Sequence, residues 1–177
     1  MKLVAFITIL ALGLVSGGFG QDEEQTTLVK IGDSAPDFTC RTLTGEEFSL
    51  AKNKGKVILI NFFATWCGPC MMEMPHLDKE LYAKYAENND VKIIAIGREH
   101  TQTDLEKFEK EKKFALPLAA DPKREIYGKY AKQYIPRNFI IGKHGKIKFS
   151  SMGYSESDVR QMIEVIEKEL KAKEANS

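Results

Sequence analysis

The sequence predicts an α/β domain in which a central mixed β-sheet carries helices on both faces. Two continuous apolar runs, at 57–63 and 91–96, have the pattern of strands that are buried on both sides. Segments with helical spacing alternate with these runs, which favours parallel strands joined by crossover connections. Near the end of the chain, Gly142 and Gly145 join segments 138–141 and 146–149 in a predicted hairpin that adds an antiparallel pair.

The elements before this hairpin follow in order. Segments 38–41 and 48–50 flank Gly45 and predict an N-terminal β-hairpin or, alternatively, a short edge layer. The strand at 57–63 leads into a helix, whose apolar residues recur at helical spacing: Met74, Leu77, Leu81 and Tyr85. After the strand at 91–96, Thr103 and Glu106 form a predicted capping box that starts another helix.

Three elements complete the prediction. Segment 116–119 is a short strand, and Asp121 followed by Pro122 is a typical helix start. The buried side of that helix is expected to consist of Ile126, Tyr127, Tyr130 and Tyr134. A C-terminal helix, capped by Ser155 or Ser157, presents a stripe of five apolar residues: Val159, Met162, Ile163, Ile166 and Leu170.

The chain is organised as a signal, a leader and one domain. Residues 1–20 combine an early positive charge, an apolar run and small residues before Gly20, as a secretory signal does. The apolar run is too short to span a membrane comfortably, so cleavage is favoured over the alternative of a retained anchor. Residues 21–29 are then a flexible leader, and residues 30–173 form the domain.

Composition narrows the function. The net charge of +1 gives no reason to expect nucleic acid or an anionic membrane surface as a partner. The chain has three cysteines, Cys40, Cys67 and Cys70, which are too few for a disulfide framework. An exported protein lives where disulfides form, and two of these cysteines make a C-x-x-C pair, so the count favours redox chemistry.

The C-x-x-C pair lies where a buried strand ends and a helix begins. Residues three apart in a first helical turn are close enough for a disulfide between Cys67 and Cys70. The free N–H groups of the helix start stabilise a thiolate, so Cys67 should ionise more readily than a free thiol. Gly68 and Pro69 shape the turn, and both are expected to contribute to substrate binding. Cys67 would attack a substrate disulfide, and Cys70 would then resolve the mixed disulfide.

Two other uses of the pair are disfavoured. A zinc site needs two more ligands at compatible spacing, and only Cys40 and three scattered histidines are available. A purely structural disulfide around two residues gains little from loop closure. We therefore expect no metal.

The segment Trp66-Cys67-Gly68-Pro69-Cys70 resembles the active-site signature of the thioredoxin superfamily. The lead-in at 32–38, and 55–57 running into 61–66, are similar to the TlpA/ResA group of exported, membrane-facing reductases. The resemblance covers about residues 30–170. It implies a thioredoxin fold with an N-terminal β-hairpin extension.

The resemblance also implies roles for individual residues. Pro75 matches the proline that kinks the active-site helix, and Pro136 the cis-proline that faces the dithiol. The backbone of Ile135 would pair with an extended substrate segment. Trp66 would cover the dithiol and offer partners a flat apolar contact. A half-buried aromatic without that role is the alternative for Trp66.

Glu73 matches an acidic residue beneath the dithiol that influences proton transfer in the group; a surface glutamate on the first helical turn is the alternative. Asn61 stands where thioredoxin carries a buried acid, and this departure strengthens the case for Glu73. The residue that pairs with Asn61 across the sheet is expected to matter only for packing. Cys40 is expected to be a small hydrophobic residue on an early strand; a resolving or sensing role is the alternative.

The implied function is reduction of disulfides in other exported envelope proteins, with periplasmic location. A membrane thiol-transfer protein would supply electrons, and cytochrome c maturation is the group's best-known setting. The redox-active disulfide would be the sole redox group, without a further cofactor. Gly-Pro between the cysteines resembles the more reducing members, whose potentials lie near about −270 mV.

Two alternatives remain open. The lead-in also resembles peroxiredoxins, but their P-x-x-x-T-x-x-C motif is absent, since Ile60 and Ala64 occupy its Pro and Thr positions. A non-catalytic binding module on the same fold is the other alternative, although such modules commonly lose one or both cysteines.

Overall fold

A computed structural model describes residues 23–172, and a five-stranded mixed sheet lies at its centre. Its strands are β3 (Val57–Phe63), β4 (Val91–Arg98), β5 (Leu118–Asp121), β6 (Arg137–Ile141) and β7 (Ile147–Met152). Across the sheet they follow the spatial order β5-β4-β3-β6-β7. The predicted signal at 1–20 lies outside the described residues.

The central strand of the sheet is β3, and all seven of its residues are buried. It pairs in parallel with β4 and antiparallel with β6, and β4 and β5 are also parallel. β6 and β7 form the antiparallel hairpin predicted from the late glycines. The predicted mixed sheet is therefore confirmed.

Helices cover both faces of the sheet. They are α1 (Gly68–His76), a π-helical turn (Leu77–Tyr82), α2 (Ala83–Tyr85), α3 (Gln102–Lys112), α4 (Tyr127–Tyr130) and α5 (Glu156–Lys171). The helices α1, α3 and α5 pack on one face in a single apolar cluster. On the other face, α4 packs beside a two-stranded hairpin, β1 (Thr39–Arg41) and β2 (Glu47–Ser49). The N-terminal hairpin extension is thus present.

The long helix after β3 changes its winding at Pro75. Pro75 lies inside α1, and the π-helical turn begins two residues later. Proline has no N–H group to donate, so the regular hydrogen-bond ladder is interrupted there. The apolar residues predicted for this helix remain on the buried side on both sides of the change.

Part of the predicted leader contacts the domain. Residues 23–26 are helical, and Thr27 forms an isolated bridge with Ala131. The fully buried guanidinium of Arg137 donates hydrogen bonds to the hydroxyls of Thr26 and Thr27. Arg137 directly follows Pro136, so these contacts connect the leader to the loop that the sequence assigns to substrate binding.

The start of α3 differs from the prediction. The helix begins after Thr101, and the predicted capping box of Thr103 and Glu106 is wrong. The side chain of Thr101 accepts from the Asp104 N–H at 3.3 Å, and Asp104 accepts from the Thr101 N–H at 2.9 Å. Aspartate supplies the same reciprocal cap two residues earlier.

The helix predicted after Asp121 is also shorter than expected. Asp121 ends β5, and its carboxylate accepts from the N–H groups of Ile126 and Tyr127 at 3.1 and 2.8 Å. The aspartate therefore serves the start of α4 from a distance, and the helix ends at Tyr130. Tyr134 lies outside it and is exposed, contrary to the prediction that it belongs to the buried stripe.

Across residues 23–172, none of the helices is both long enough and apolar enough to cross a membrane.

Candidate active site

The predicted cysteine pair lies at the junction of β3 and α1. Cys67 is the N-cap residue of α1, and Cys67 and Cys70 are joined in a disulfide with 5.3 Å between their Cα atoms. The Cys70 N–H donates to the sulfur of Cys67 at 3.2 Å. Because this N–H is one of the free donors at the helix start, it would stabilise a thiolate on Cys67.

The two cysteine residues differ in exposure. Cys67 keeps 6% of its surface exposed, whereas Cys70 is completely buried. This difference agrees with attack by Cys67 and resolution by Cys70, and both roles stay predictions. Gly68 and Pro69 occupy the first two positions of α1, where the missing N–H of a proline costs no helical hydrogen bond.

The loop before β6 faces the disulfide. The Ile135–Pro136 peptide bond is cis, as expected from the sequence. The carbonyl oxygen of Ile135 lies 3.7 Å from the Cys67 sulfur. In the disulfide, Cys67 has no S–H group, so this distance is a contact and not a hydrogen bond. In the reduced protein, the Cys67 thiol could donate a hydrogen bond to this carbonyl. The role of Ile135 and Pro136 in binding substrate stays a prediction.

Trp66 is more exposed than the half-buried alternative suggested. The side chain keeps 65% of its surface exposed beside the dithiol, so a flat apolar surface is available to a partner. Its part in substrate binding stays a prediction.

Glu73 is the buried acid of the site. It is completely buried, so the alternative of a surface glutamate is wrong. One carboxylate oxygen accepts from Asn61 Nδ2 at 2.9 Å, and the other accepts from Asn138 Nδ2 at 2.6 Å. Asn61 and Asn138 are paired between β3 and β6, and Asn61 Nδ2 also donates to Asn138 Oδ1 at 2.8 Å. We call Asn61 and Asn138 the amide clamp.

Burial and the amide clamp act on the acidity of Glu73 in opposite directions. Burial disfavours the ionised form and is the largest effect, whereas the hydrogen bonds from Asn138 and Asn61 favour it. The net result raises the pKa of Glu73 to about 8. The carboxyl is therefore mostly neutral at pH 7 and could exchange a proton near neutral pH. Its role in catalysis stays a prediction.

The role of Asn138 was not predicted from the sequence. Its expected role, as the neighbour of Asn61, was packing alone, and the hydrogen bond to Glu73 shows that this expectation is wrong. The signal was a polar residue in the otherwise apolar predicted strand at 138–141, directly opposite another polar residue in β3. Recognising it required the register between two strands that are 77 residues apart at this pair.

A second missed residue is His100. Its Nε2 accepts from the Thr65 N–H at 2.9 Å, which fixes the backbone just before Trp66 and Cys67. Nε2 must be unprotonated to accept this bond, and burial lowers the pKa of the imidazole. His100 follows β4 in a turn, so the sequence pattern gave no reason to place it beside the active-site loop.

Cys40 lies on β1 and is half-buried, as the sequence suggested. Burial, helped by the negative charge of Asp121, raises the pKa of its thiol to about 12. A thiol that stays protonated is a poor nucleophile. Within the described part of the chain, no group of three or more His, Cys, Asp and Glu side chains could hold a metal ion.

Sequence comparison relates the chain to a family of known proteins. Residues 31–150 match the AhpC/TSA family. The thiol-disulfide oxidoreductase ResA of Bacillus cereus is 38% identical over 130 residues, covering 73% of this chain and 72% of the relative. ResA of Geobacillus thermodenitrificans is 32% identical over 169 residues, covering 93% and 96%.

Solved structures agree with this relationship. A candidate protein disulfide isomerase from Bacteroides thetaiotaomicron superposes with a TM-score of 0.74 at 35% identity, covering 80% of this chain and 93% of its own. A candidate thiol:disulfide interchange protein DsbE from Chlorobium tepidum has a TM-score of 0.69 at 28% identity, covering 80% and 99%. The thioredoxin-like architecture inferred from the sequence is confirmed.

Proposed function

The chain belongs to the AhpC/TSA family and, within it, to the thiol–disulfide oxidoreductases related to ResA, and from this premise we propose that it is an exported reductase of protein disulfides. The observation that carries the proposal is the asymmetric pair at the start of α1, where Cys67 keeps 6% of its surface exposed and Cys70 is fully buried. This arrangement allows attack by one sulfur and internal release by the other.

The proposed reaction begins with the reduced protein. The Cys67 thiolate, stabilised by the helix start, attacks a substrate disulfide and releases one substrate thiolate. Cys70 then attacks the sulfur of Cys67, which releases the second substrate thiolate and leaves the protein oxidised. We propose that the ionised form of Glu73, whose share grows as the pH rises towards about 8, takes up the proton of the Cys70 thiol during this second attack, because Glu73 lies one helical turn further along α1. No redox group beyond the disulfide is needed.

The place of action and the partners belong to the same proposal. The signal pattern at 1–20 supports export to the cell envelope, where a reductase needs a continuing supply of electrons. We propose a membrane thiol-transfer protein as the donor. Among exported substrates, the oxidised C-x-x-C-H haem-attachment segment of apocytochrome c is the first to test. Mass spectrometry of the exported protein should find Gln21 at its N-terminus.

Insulin reduction with dithiothreitol tests the enzymatic function. The purified protein should accelerate precipitation of the insulin B chain, and Cys67→Ser should abolish the acceleration. Cys40→Ala is the matched control, because its thiol is half-buried and has a raised pKa. Equal rates for Cys67→Ser and the parent would contradict the reductase function.

Two further measurements separate the alternatives. Redox titration should give a reduction potential of about −270 mV, whereas a value of about −120 mV would indicate an oxidase. Peroxide should not be consumed directly, since the peroxidatic motif is absent from the sequence. Proteins trapped covalently on Cys70→Ser in cells would distinguish an enzyme from a module that only holds its partners.

A further inference from the structure

The groove beside the dithiol has one charged residue in its wall. Its volume is about 420 Å³, and it is lined by residues 66–69, Arg98, Tyr134 and Ile135. Of these described residues, only Arg98 carries a charge at neutral pH. A substrate segment that reaches Cys67 through this groove would therefore meet a largely apolar surface with a single cation.

The side chain of Arg98 is held in place before any substrate binds. Arg98 is the last residue of β4, and its side chain is 12% exposed. The guanidinium carbon lies 5.7 Å from the centre of a Trp66 ring and 5.3 Å from the centre of the Tyr127 ring. Both distances allow cation–π attraction. Since the cation is already ordered, binding an anion to it costs little side-chain entropy.

The charge of Arg98 is only partly compensated. Its Nη2 lies 3.1 Å from a carboxylate oxygen of Glu99, and the other oxygen of Glu99 lies 3.7 Å from Arg124 Nη1. Two guanidinium groups thus share one carboxylate. Asp121, which pairs with Arg98 across the sheet, accepts from two N–H groups at the start of α4. The buried Nε of Arg98 has no hydrogen-bond partner among the described residues.

We propose that Arg98 selects substrates that carry an acidic side chain next to the cysteine attacked by Cys67. This inference rests on the proposed function, because it requires a protein disulfide at the dithiol. The planar guanidinium matches a carboxylate, and the ring of Trp66 shields one side of the pair from water. Complementary charge of this kind mainly raises the rate of productive encounter.

Arg98 takes no part in the transfer of electrons or protons. The Cys67 thiolate forms a bond to the substrate sulfur, and the leaving thiolate departs with the electron pair of the broken disulfide. Cys70 then displaces the substrate thiolate from Cys67. Two electrons pass from the protein dithiol to the substrate, with or without an acidic neighbour. Arg98 is therefore a specificity determinant whose effect depends on the substrate sequence.

Three synthetic peptides provide the test. They are identical except for Glu, Gln or Lys before a single cysteine, which is capped as a disulfide with neutral 2-thiopyridine. The reduced protein is mixed with each peptide, and release of pyridine-2-thione is followed by absorbance. We expect the Glu peptide to react about three times faster than the Gln peptide, and the Lys peptide to react slowest. High salt should bring the three rates together.

Two variants and a control locate the effect. Arg98→Gln should bring the ratio of the Glu rate to the Gln rate close to one. Arg98→Lys should keep part of the preference, since it retains the charge without the planar stacking. Arg124→Gln is the control and should keep the full preference: Arg124 lies over the same Tyr127 ring and near the same Glu99, but does not line the groove.

The outcomes separate this proposal from the proposed function. Reduction of all three peptides at equal rates by the parent would overturn the role of Arg98 and leave the reductase function intact. No reduction of any peptide would contradict both. If Arg124→Gln lost the preference for the Glu peptide as fully as Arg98→Gln, the preference would come from the general positive potential and not from direct contact with Arg98. That result would overturn the proposal. Should Arg98→Gln fail to fold, the parent protein still tests the proposal: equal rates for the three peptides, or a rate order that high salt does not change, would overturn it.

Oxidised glutathione provides a last comparison, because it is a small disulfide that carries carboxylates but is not part of a protein. A preference confined to glutathione, with none among the peptides, would assign Arg98 to low-molecular-weight disulfides and overturn the proposal.

Discussion

Replacing Asn138 by leucine tests whether the amide clamp controls the acidity of Glu73. Asn138 is completely buried, and leucine has the same number of side-chain heavy atoms in a similar branched shape, so the change removes the hydrogen bond and keeps the branching. In the parent, Asn138 Nδ2 donates to Glu73 at 2.6 Å and lowers the pKa of the carboxyl against the larger effect of burial. Asn138→Leu should therefore raise the pKa of Glu73 above its value of about 8.

The size of the rise follows from the strength of the lost bond. A hydrogen bond to a charged group contributes about 1.5 to 3 kcal/mol, and about 1.4 kcal/mol corresponds to one pKa unit. The pKa of Glu73 should thus increase by about 1 to 2, with Asn61 still donating to the other oxygen.

The same change should appear in the pH dependence of stability. Glu73 has a pKa of about 8 when folded and an ordinary value of 4.5, so the folded protein binds more protons between these values. Its contribution to stability is therefore fully present below about pH 4.5 and is lost as the pH rises through about 8. In Asn138→Leu the loss should continue to higher pH and become larger.

Carbon-13 NMR of side-chain carboxyl groups in glutamate-labelled protein would measure this pKa, with Glu73→Gln assigning the signal. Ser151→Ala is the control. The hydroxyl of Ser151 accepts from Asn138 Nδ2 at 3.3 Å, and it makes no hydrogen bond to Glu73 among those described. An unchanged or lower pKa in Asn138→Leu would refute the reasoning that this amide stabilises the ionised carboxyl.

Two more predictions concern residues that the sequence analysis missed. Arg137→Met should lower the free energy of unfolding in urea by about 2 to 4 kcal/mol, because it removes the hydrogen bonds that the fully buried guanidinium donates to Thr27 and Gln133. A loss below about 0.5 kcal/mol, typical of a surface change, would contradict this. His100 has a lowered pKa, so its contribution to stability should be lost as the pH falls below about 6.5. The stability difference between the parent and His100→Gln should therefore narrow in acid, whereas a constant difference would show that His100 does not titrate there.

The sheet could be predicted because the apolar residues of its strands indicate by themselves that these strands are buried. The apolar run at 57–63 corresponds residue by residue to β3, and the run at 91–96 lies within β4. Hydrophobicity of this kind needs no knowledge of the partners of a strand. The cysteine pair was equally local, since its spacing and its place between a strand and a helix are visible in six residues.

Helix ends were less predictable, because several residues can perform the same capping chemistry. Thr101 with Asp104 and Thr103 with Glu106 both satisfy the capping pattern, and the structure uses the first pair. Asp121 has a typical capping side chain, but it reaches the N–H groups of Ile126 and Tyr127 across a turn rather than at the next residue. Only the path of the turn decides between these uses.

The chemistry of the buried acid could not be derived from the sequence, since it depends on two opposing effects that act across the fold. Burial raises the pKa of Glu73, whereas the two amide donors favour its ionised form. The donors come from β3 and β6, and Asn61 retains a buried Oδ1 without a hydrogen-bond partner in the described region. An apolar pair at these positions would cost less to bury. The amide clamp therefore costs some stability in the core, but it lowers the pKa of Glu73 towards neutral pH. A group with a pKa near the working pH is best suited to the proton transfer proposed for Glu73.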